Sequence, residues 1–99
     1  MKKLPNIHPG QILKEEFLIP LNISASRLSK DLGIPQTRTN EILKGSRRIT
    51  ADTALRLSQY FGTTTKFWLG IQDDFDIEEE KSVTSKELES IKKFENNAA

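Results

Sequence analysis

A short stretch of the chain carries side chains that can hydrogen-bond to the edges of nucleic-acid bases. Gln36 and Asn40 each present an amide that can pair with adenine through two hydrogen bonds, and Arg38 can pair similarly with O6 and N7 of guanine. Thr37 can contact a base or a nearby phosphate. One good two-bond contact contributes about 1–3 kcal/mol to discrimination between bases. These four residues are therefore candidates for reading a DNA sequence.

Cationic and polar side chains follow directly. Lys44, Ser46, Arg47 and Arg48 come next in the chain and can contact a phosphate backbone, which fixes the register of a protein on DNA without reading its sequence. A polar helix face and a basic loop are also common on plain solvated surface. The residue types alone leave both interpretations open.

Pro, Gly and capping residues predict short helices throughout, and no alternation typical of strands competes with them. The predicted helices cover about residues 9–20, 24–32, 35–44, 51–61 and 65–77. Ser24, Thr50 and Thr64 are the expected hydroxyl N-caps. Pro35 is expected to open the third helix.

The second and third helices have the pattern of a helix-turn-helix. A short capped helix is followed by a tight turn containing Gly33 and by a second short helix whose outer face is polar. Such a helix must fit a major groove about 12 Å wide while its inner side packs on its neighbour. Ile42 and Leu43 are the expected inner residues, with Thr39 partly buried beside them. The conjunction of turn, caps, polar helix and basic loop favours DNA binding over plain solvated surface.

Composition excludes several kinds of chemistry. The chain has 99 residues, 35% of them hydrophobic, and no cysteine, which leaves one small domain without disulfides or thiolate chemistry. The single histidine, His8, is expected to shape the entry to the first helix. Asp73, Asp74 and Asp76 lack the glycine and terminal glutamate of a calcium loop. We predict no catalytic residue, no metal and no cofactor.

The sequence shows no apolar run long enough to cross a membrane and no apolar core of a signal peptide after Lys2 and Lys3. We therefore expect a cytoplasmic protein that does not bind membranes.

The net charge of +1 hides two oppositely charged parts. Residues 1–70 carry 11 Lys and Arg against 5 Asp and Glu, a net charge of +6, whereas residues 71–99 carry 4 against 9, a net charge of −5. The basic part coincides with the helix-turn-helix, and the acidic part is expected to stay away from phosphate. We predict a DNA-binding domain over residues 1–77, followed by an acidic tail or an additional helix over residues 78–99.

Longer motifs carry a family resemblance. The stretch LGIPQTRTNEILKG resembles the turn and recognition helix of the phage-repressor-like (XRE) helix-turn-helix superfamily, and the likeness extends from His8 to Ile77. Within this superfamily, the chain resembles most specifically the HigA-type (VapI-like) antitoxins of HigBA toxin–antitoxin modules. This closer resemblance is carried by the segments HPGQILKEEFL, ITADTALRLSQYFGTTTKFW and FWLGIQDDFDI.

This resemblance implies an all-α, five-helix lambda-repressor-like domain with an acidic C-terminal extension. The implied function is that of a homodimeric antitoxin that binds double-stranded operator DNA, represses its own operon and neutralises a HigB-like mRNA-cleaving toxin. An alternative is a phage-type transcriptional repressor without a toxin partner. Another is a protein whose main role is to bind a toxin through its acidic segment, with DNA binding secondary.

Residue roles follow from the same superfamily pattern. Gln36, Thr37, Arg38 and Asn40 match groove-facing positions, and Glu41 lies beside them, where it can accept from cytosine or repel phosphate. The candidates for phosphate contact at the start of the second helix are Ser24, Ser26 and Arg27. Thr39 stands where a valine is common. The candidates for a dimer interface, chosen because exposed aromatic side chains favour association, are Phe67, Trp68, Ile71 and Phe75.

Overall fold

The computed structural model describes residues 5–95, which form five helices and no strand. Helix α1 consists of Pro9–Ile12, a π-helical segment Leu13–Leu18, and Ile19–Leu21. The others are α2 (Ala25–Leu32), α3 (Gln36–Lys44), α4 (Ala51–Phe61) and α5 (Thr65–Glu89). The predicted all-α, five-helix fold is confirmed. Residues 1–4 of the predicted domain, with Lys2 and Lys3, and residues 96–99 of the acidic segment lie outside the described residues.

The helix starts match the sequence signals at most positions. Ser24 Oγ accepts from the Arg27 N–H (3.1 Å) and Thr64 Oγ1 from the Phe67 N–H (3.0 Å), as expected of N-caps. Thr50 occupies the predicted N-cap position of α4, but its side chain makes no capping hydrogen bond, so only the position of that prediction is confirmed.

Two further helix starts involve His8 and Pro35. His8 caps α1 through Nδ1, which accepts from the Gly10 N–H at 2.8 Å, in agreement with its predicted structural role. Pro35 is extended (φ −62°, ψ 142°) and serves as the N-cap of α3, so that helix begins one residue later than predicted, at Gln36.

The hydrophobic core is centred on Trp68, whose side chain is fully buried. Its indole Nε1 donates to Thr63 Oγ1 at 2.7 Å, so the buried N–H has a partner. The ring of Phe17 lies 4.9 Å from the rings of both Phe61 and Trp68, which joins α1, α4 and α5. The aliphatic residues buried with them are Leu13, Leu18, Leu28, Leu32, Ile34, Ile42, Ile49, Ala54 and Leu57.

Helix α5 continues well beyond Ile77, where the apolar density falls and the sequence had suggested an end. It runs to Glu89, and its side chains from Glu78 onward are exposed except that of Thr84. Neither Gly nor Pro follows Gly70 in the sequence, so no helix-breaking residue ends the helix at Ile77. Residues 78–89 thus form an exposed helical arm, and the radius of gyration of 17.6 Å exceeds the ~13 Å of a compact chain of this length.

Within residues 5–95, no helix combines the length and apolar character that crossing a membrane requires.

Candidate nucleic-acid interface

The turn between α2 and α3 consists of Gly33, Ile34 and Pro35. Gly33 has φ +70°, a left-handed conformation that side chains disfavour. The N–H groups of Gly33 and Ile34 donate to the carbonyls of Lys30 (3.2 Å) and Ser29 (3.0 Å), which closes the end of α2. Ile34 is buried. The turn therefore holds α3 at a fixed angle to α2, as the helix-turn-helix pattern requires.

A pair of buried hydroxyl groups fixes the contact between α2 and α3. Thr39 is only 1% exposed, and its Oγ1 is hydrogen-bonded to Ser29 Oγ at 2.7 Å. Ser29 Oγ also lies 2.8 Å from the Ala25 carbonyl oxygen, to which it donates. The threonine that replaces the common valine is thus fully buried, more deeply than predicted, and its hydroxyl is satisfied.

The four predicted base readers are all on α3, and none of them is fully buried. Gln36 and Thr37 are exposed, whereas Arg38 and Asn40 are partly buried. Asn40 opens into a cleft of about 380 Å³ between α1, α2 and α3, which Lys14 and Lys44 also line. Neither lysine has an ion pair among residues 5–95. The sequence did not indicate Lys14 as a candidate, because it lies on the first helix, far along the chain from the helix-turn-helix.

Arg38 is held by a carboxylate of α4. Its Nη1 donates to Asp52 Oδ2 at 2.7 Å, and Arg56 Nε donates to both oxygens of the same carboxylate at 3.1 and 3.2 Å. These hydrogen bonds, first that of Arg38 and then that of Arg56, lower the pKa of Asp52. Arg56 Nη1 also donates to the Leu32 carbonyl at 2.8 Å. The candidate guanine reader is therefore tied to α4 and, through Arg56, to the end of α2.

The loop that follows α3, which contains the predicted phosphate contacts Ser46, Arg47 and Arg48, is paired with a carboxylate of α3. Arg47 Nε and Nη2 lie 2.8 and 2.7 Å from Glu41 Oε1. Ser46 donates through both N–H (2.9 Å) and Oγ (3.2 Å) to the Glu41 carbonyl. Lys44 is exposed. Glu41 thus partly neutralises the loop.

The far end of the loop is bound to α5. Arg48 Nη2 donates to Asp76 Oδ2 at 2.8 Å, and the other oxygen of Asp76 accepts from Gln72 Nε2 at 2.9 Å. Gln72, only 1% exposed, accepts from the Ile49 N–H at 2.7 Å through Oε1. Burial raises the pKa of Asp76, but the hydrogen bonds from Arg48 and Gln72 outweigh it and hold that pKa below its ordinary value. The loop is therefore anchored, and an acidic residue of the C-terminal part lies beside a predicted phosphate contact.

The start of α2 supplies the remaining phosphate candidates. Ser24 and Ser26 are exposed at the first turn of the helix, where N–H groups favour anions. Arg27 Nε lies 3.4 Å from Asp31 Oδ2, which also accepts from the Tyr60 hydroxyl at 2.6 Å. Every arginine thus has a carboxylate partner within the chain.

Known proteins are similar to this chain in sequence and in fold. A family model described as helix-turn-helix matches residues 13–68. Virulence-associated protein I of Dichelobacter nodosus is 49% identical over 75 residues, which span 76% of this chain and 69% of that protein. The structure of an addiction module antidote protein of the HigA family from Coxiella burnetii superimposes with a TM-score of 0.87 at 46% identity, covering 92% of this chain and all of that one (100%). The chain belongs to the HigA family of helix-turn-helix antitoxins. Pseudomonas aeruginosa antitoxin HigA, solved with the higBA promoter, is also similar (TM-score 0.88, 33% identity, covering 92% of this chain and 100% of that one).

Two positions of this HigA-family chain gain roles that its sequence did not reveal. Asp52 and Gln72 hold Arg38 and the loop backbone, yet a lone aspartate or glutamine in a helix carries no recognisable signal. Gln72 is part of the segment that carried the family resemblance, but nothing in its spacing pointed to the Ile49 N–H. Both roles depend on contacts between residues that are 14 and 23 positions apart in the chain.

The dimer candidates on α5 of the HigA-family protomer differ in accessibility. Trp68 is fully buried within its own protomer, so its ring has no surface to offer a second chain. Phe67 is 38% exposed, and Ile71 and Phe75 are partly buried. Phe75 packs edge-on against the His8 ring at 4.8 Å. Of the four candidates, only Phe67, Ile71 and Phe75 have side-chain surface available.

Proposed function

We propose that this HigA-family chain binds operator DNA through α3 and represses its own toxin–antitoxin operon. The carrying observation is the contrast between the buried and the accessible residues of α3. Thr39 and Ile42 are each 1% exposed, and the Thr39 hydroxyl is bonded to Ser29 of α2, whereas the four hydrogen-bonding candidates are exposed or only partly buried. A helix held on one side and polar on the other fits a major groove. The promoter complex of the Pseudomonas aeruginosa relative supports this reading.

Phosphate contacts flank α3 on both sides in this proposal. Lys44, Ser46, Arg47 and Arg48 follow it, and the start of α2, with Ser24, Ser26 and Arg27, precedes it. The ion pairs of these arginines are partly exposed to solvent, and exposed pairs contribute only about 0.2–1 kcal/mol. Phosphate can therefore replace the carboxylates at small cost. The unpaired Lys14 joins this set as a further candidate.

The operator is bound by a homodimer in this proposal. Two recognition helices related by a two-fold axis enter major grooves about one helical turn, ~34 Å, apart on a palindromic site. Phe67, Ile71 and Phe75 on α5 are the candidate contacts between the protomers.

Mutation of two groups of cations separates base reading from phosphate binding. Arg38→Ala is expected to reduce discrimination at one base pair, because a single guanine contact is lost. Replacing both Arg47 and Arg48 with alanine is expected to weaken binding to all sequences. The slope of log K against the logarithm of the salt concentration is expected to decrease in magnitude by about 2. The matched control replaces Lys92 and Lys93, which lie beyond α5, with alanine.

The assay is a titration of the chain's own promoter and of a random duplex of equal length at several salt concentrations. If the Arg38 and Arg47/Arg48 variants both bind the two duplexes as the parent does, α3 is not the reading helix.

The chain also neutralises a HigB-like mRNA-cleaving toxin by direct binding in this proposal. Membership of the antitoxin family supports it, and so does the exposed acidic arm of residues 78–89, which offers negative charge to a basic partner. The competing function is that of a phage-type repressor without a toxin. A small basic open reading frame directly upstream favours the antitoxin.

Charge changes in the full chain test the role of the arm. Replacing Glu78, Glu79 and Glu80 with glutamine is expected to weaken neutralisation of the co-expressed upstream gene product while operator affinity stays within about twofold, since the arm lies outside the DNA-binding helices. Replacing Glu15 and Glu16 on α1 with glutamine serves as the control. Unchanged neutralisation by the arm variant removes the arm from the toxin-binding surface. An upstream product that does not bind the parent chain leaves the repressor function alone.

A further inference from the structure

Asp52 lies at the point where three elements of the DNA-binding domain meet. It is near the start of α4, accepts hydrogen bonds from Arg38 of α3, and is connected to the end of α2 through Arg56. We propose that Asp52 is a positioning residue for DNA recognition, which aims the guanidinium of Arg38 at a guanine edge. This inference rests on the proposed function, in which Arg38 reads a base.

The carboxylate of Asp52 is itself held by a second arginine. Arg56, one turn further along α4, contacts both of its oxygens (3.1 and 3.2 Å), and the same guanidinium donates to the Leu32 carbonyl at 2.8 Å. The first turn of a helix also favours a negative charge through the helix dipole. Asp52 is therefore fixed by groups that do not belong to α3, and it can serve as a reference point for Arg38.

The contact leaves the reading edge of Arg38 free. Only Nη1 of Arg38 hydrogen-bonds to Asp52 (2.7 Å), and among the described residues neither Nε nor Nη2 has a partner. Nε and Nη2 form one edge of the planar guanidinium, whose fork geometry matches two acceptors such as O6 and N7 of guanine. The Arg38 side chain is 29% exposed to solvent. Asp52 thus restricts the rotation of Arg38 without occupying the edge that would meet a base.

The opposite role for Asp52 makes a different prediction. If the carboxylate only competed with DNA for Arg38, its removal would strengthen operator binding and leave or improve sequence discrimination. If it positions Arg38, its removal weakens discrimination, while the loss of a negative charge leaves affinity for random DNA equal or higher. The ratio of operator affinity to random-DNA affinity therefore falls only in the positioning role.

The test compares Asp52→Asn with Asp73→Asn in the full-length chain. Asp73 is exposed on α5 and has no ion pair among residues 5–95, so it controls for the change in charge. Affinities are measured for the chain's own promoter duplex and for a random duplex of equal length, with thermal unfolding as the check on folding. We expect Asp52→Asn to reduce the ratio of operator to random affinity by about tenfold, part of one two-bond contact, and Asp73→Asn to leave the ratio unchanged.

A double-mutant comparison assigns the effect to Arg38. In an Arg38→Ala background, Asp52→Asn is expected to cause no further loss of discrimination, and in the parent background its loss is confined to one base pair of a substituted operator set. A ratio that Asp52→Asn leaves unchanged or raises overturns the inference, as does an equal loss with and without Arg38. If Asp52→Asn lowers the melting temperature markedly, Asp52→Glu takes its place, with the same expected loss and the same refuting results.

The inference and the proposed function fail in different ways. A parent chain that binds the promoter and random duplexes equally refutes the proposed function. A parent chain that discriminates, together with an Asp52→Asn variant that discriminates equally well, refutes the positioning role alone.

Discussion

Gln72 is expected to stabilise the domain through one buried hydrogen bond, and Gln72→Met tests this. Methionine has a similar length, but its sulfur is only a weak acceptor for the Ile49 N–H, whose nitrogen lies 2.7 Å from Gln72 Oε1. Ile49 is fully buried, so water cannot easily replace the acceptor. A buried donor left without a partner costs about 1–3 kcal/mol. Asp76 loses a donor as well, but its side chain is 41% exposed and water can substitute there.

The expected loss is large against the total stability of a small domain. A domain of this kind has a free energy of unfolding of about 5–15 kcal/mol, and each kcal/mol corresponds to a melting shift of about 4–8 °C at this size. We therefore expect Gln72→Met to lower Tm by at least about 4 °C. Gln59→Met, at an exposed position of α4, is the matched control and is expected to stay within about 0.5 kcal/mol of the parent.

Urea and thermal unfolding followed by circular dichroism measure both variants. A Gln72→Met variant as stable as the Gln59→Met control would mean that the Ile49 N–H finds another acceptor. The loop between α3 and α4 would then not depend on Gln72 for its attachment to α5.

Three further changes probe the packing around α3. Gly10→Ala is expected to destabilise the chain by about 1–3 kcal/mol, because its Cβ would lie 1.8 Å from the Ile42 carbonyl oxygen. The control is Gly70→Ala, whose Cβ would meet no neighbouring side chain or helix within 4 Å and which is expected to be neutral or stabilising. Equal melting shifts for the two variants would contradict this. Burial lowers the pKa of His8 from its ordinary 6.5 although Asp76 opposes the shift. Stability from His8 is therefore complete above pH 6.5 and declines as the pH falls towards the lowered pKa of the folded state; urea unfolding from pH 7.5 to 5 should show a decline that His8→Asn lacks. Thr39→Val is expected to cost at most about 1 kcal/mol, since the Ser29 hydroxyl keeps its bond to the Ala25 carbonyl, and a larger loss in urea unfolding would show that the hydroxyl pair is essential.

Features that depend on neighbouring residues were predictable from the sequence. Ser24, Thr64 and Gly33 lie where their types and spacing indicated, because caps and turns are set by interactions within a few residues. Thr50 shows the limit of this reasoning. Its position at the helix start is correct, but whether its hydroxyl bonds to the backbone depends on a side-chain rotamer that the sequence does not specify.

The length of α5 was not predictable from hydrophobic patterning, because that pattern reports burial and the arm is exposed. Residues 78–89 remain helical through propensity and local contacts, such as the Lys81–Glu78 pair at 3.7 Å. The fall in apolar density after Ile77 indicated where packing ends and not where the helix ends.

Contacts between distant residues change how the charge of the interface should be understood. The sequence separates a basic part from an acidic part, which suggested that the acidic residues stay away from phosphate. The structure brings Asp76 to Arg48 and Asp52 to Arg38, so carboxylates lie within the predicted DNA-binding surface itself. The exposed pairs of Arg47 and Arg48 are weak enough for phosphate to displace, whereas in the proposed role of Asp52 its pair with Arg38 persists on DNA. Because carboxylates offset the arginine charges, this surface attracts DNA non-specifically less than its number of cations suggests. Its affinity for DNA depends more on whether the groove places acceptors where the guanidinium groups point.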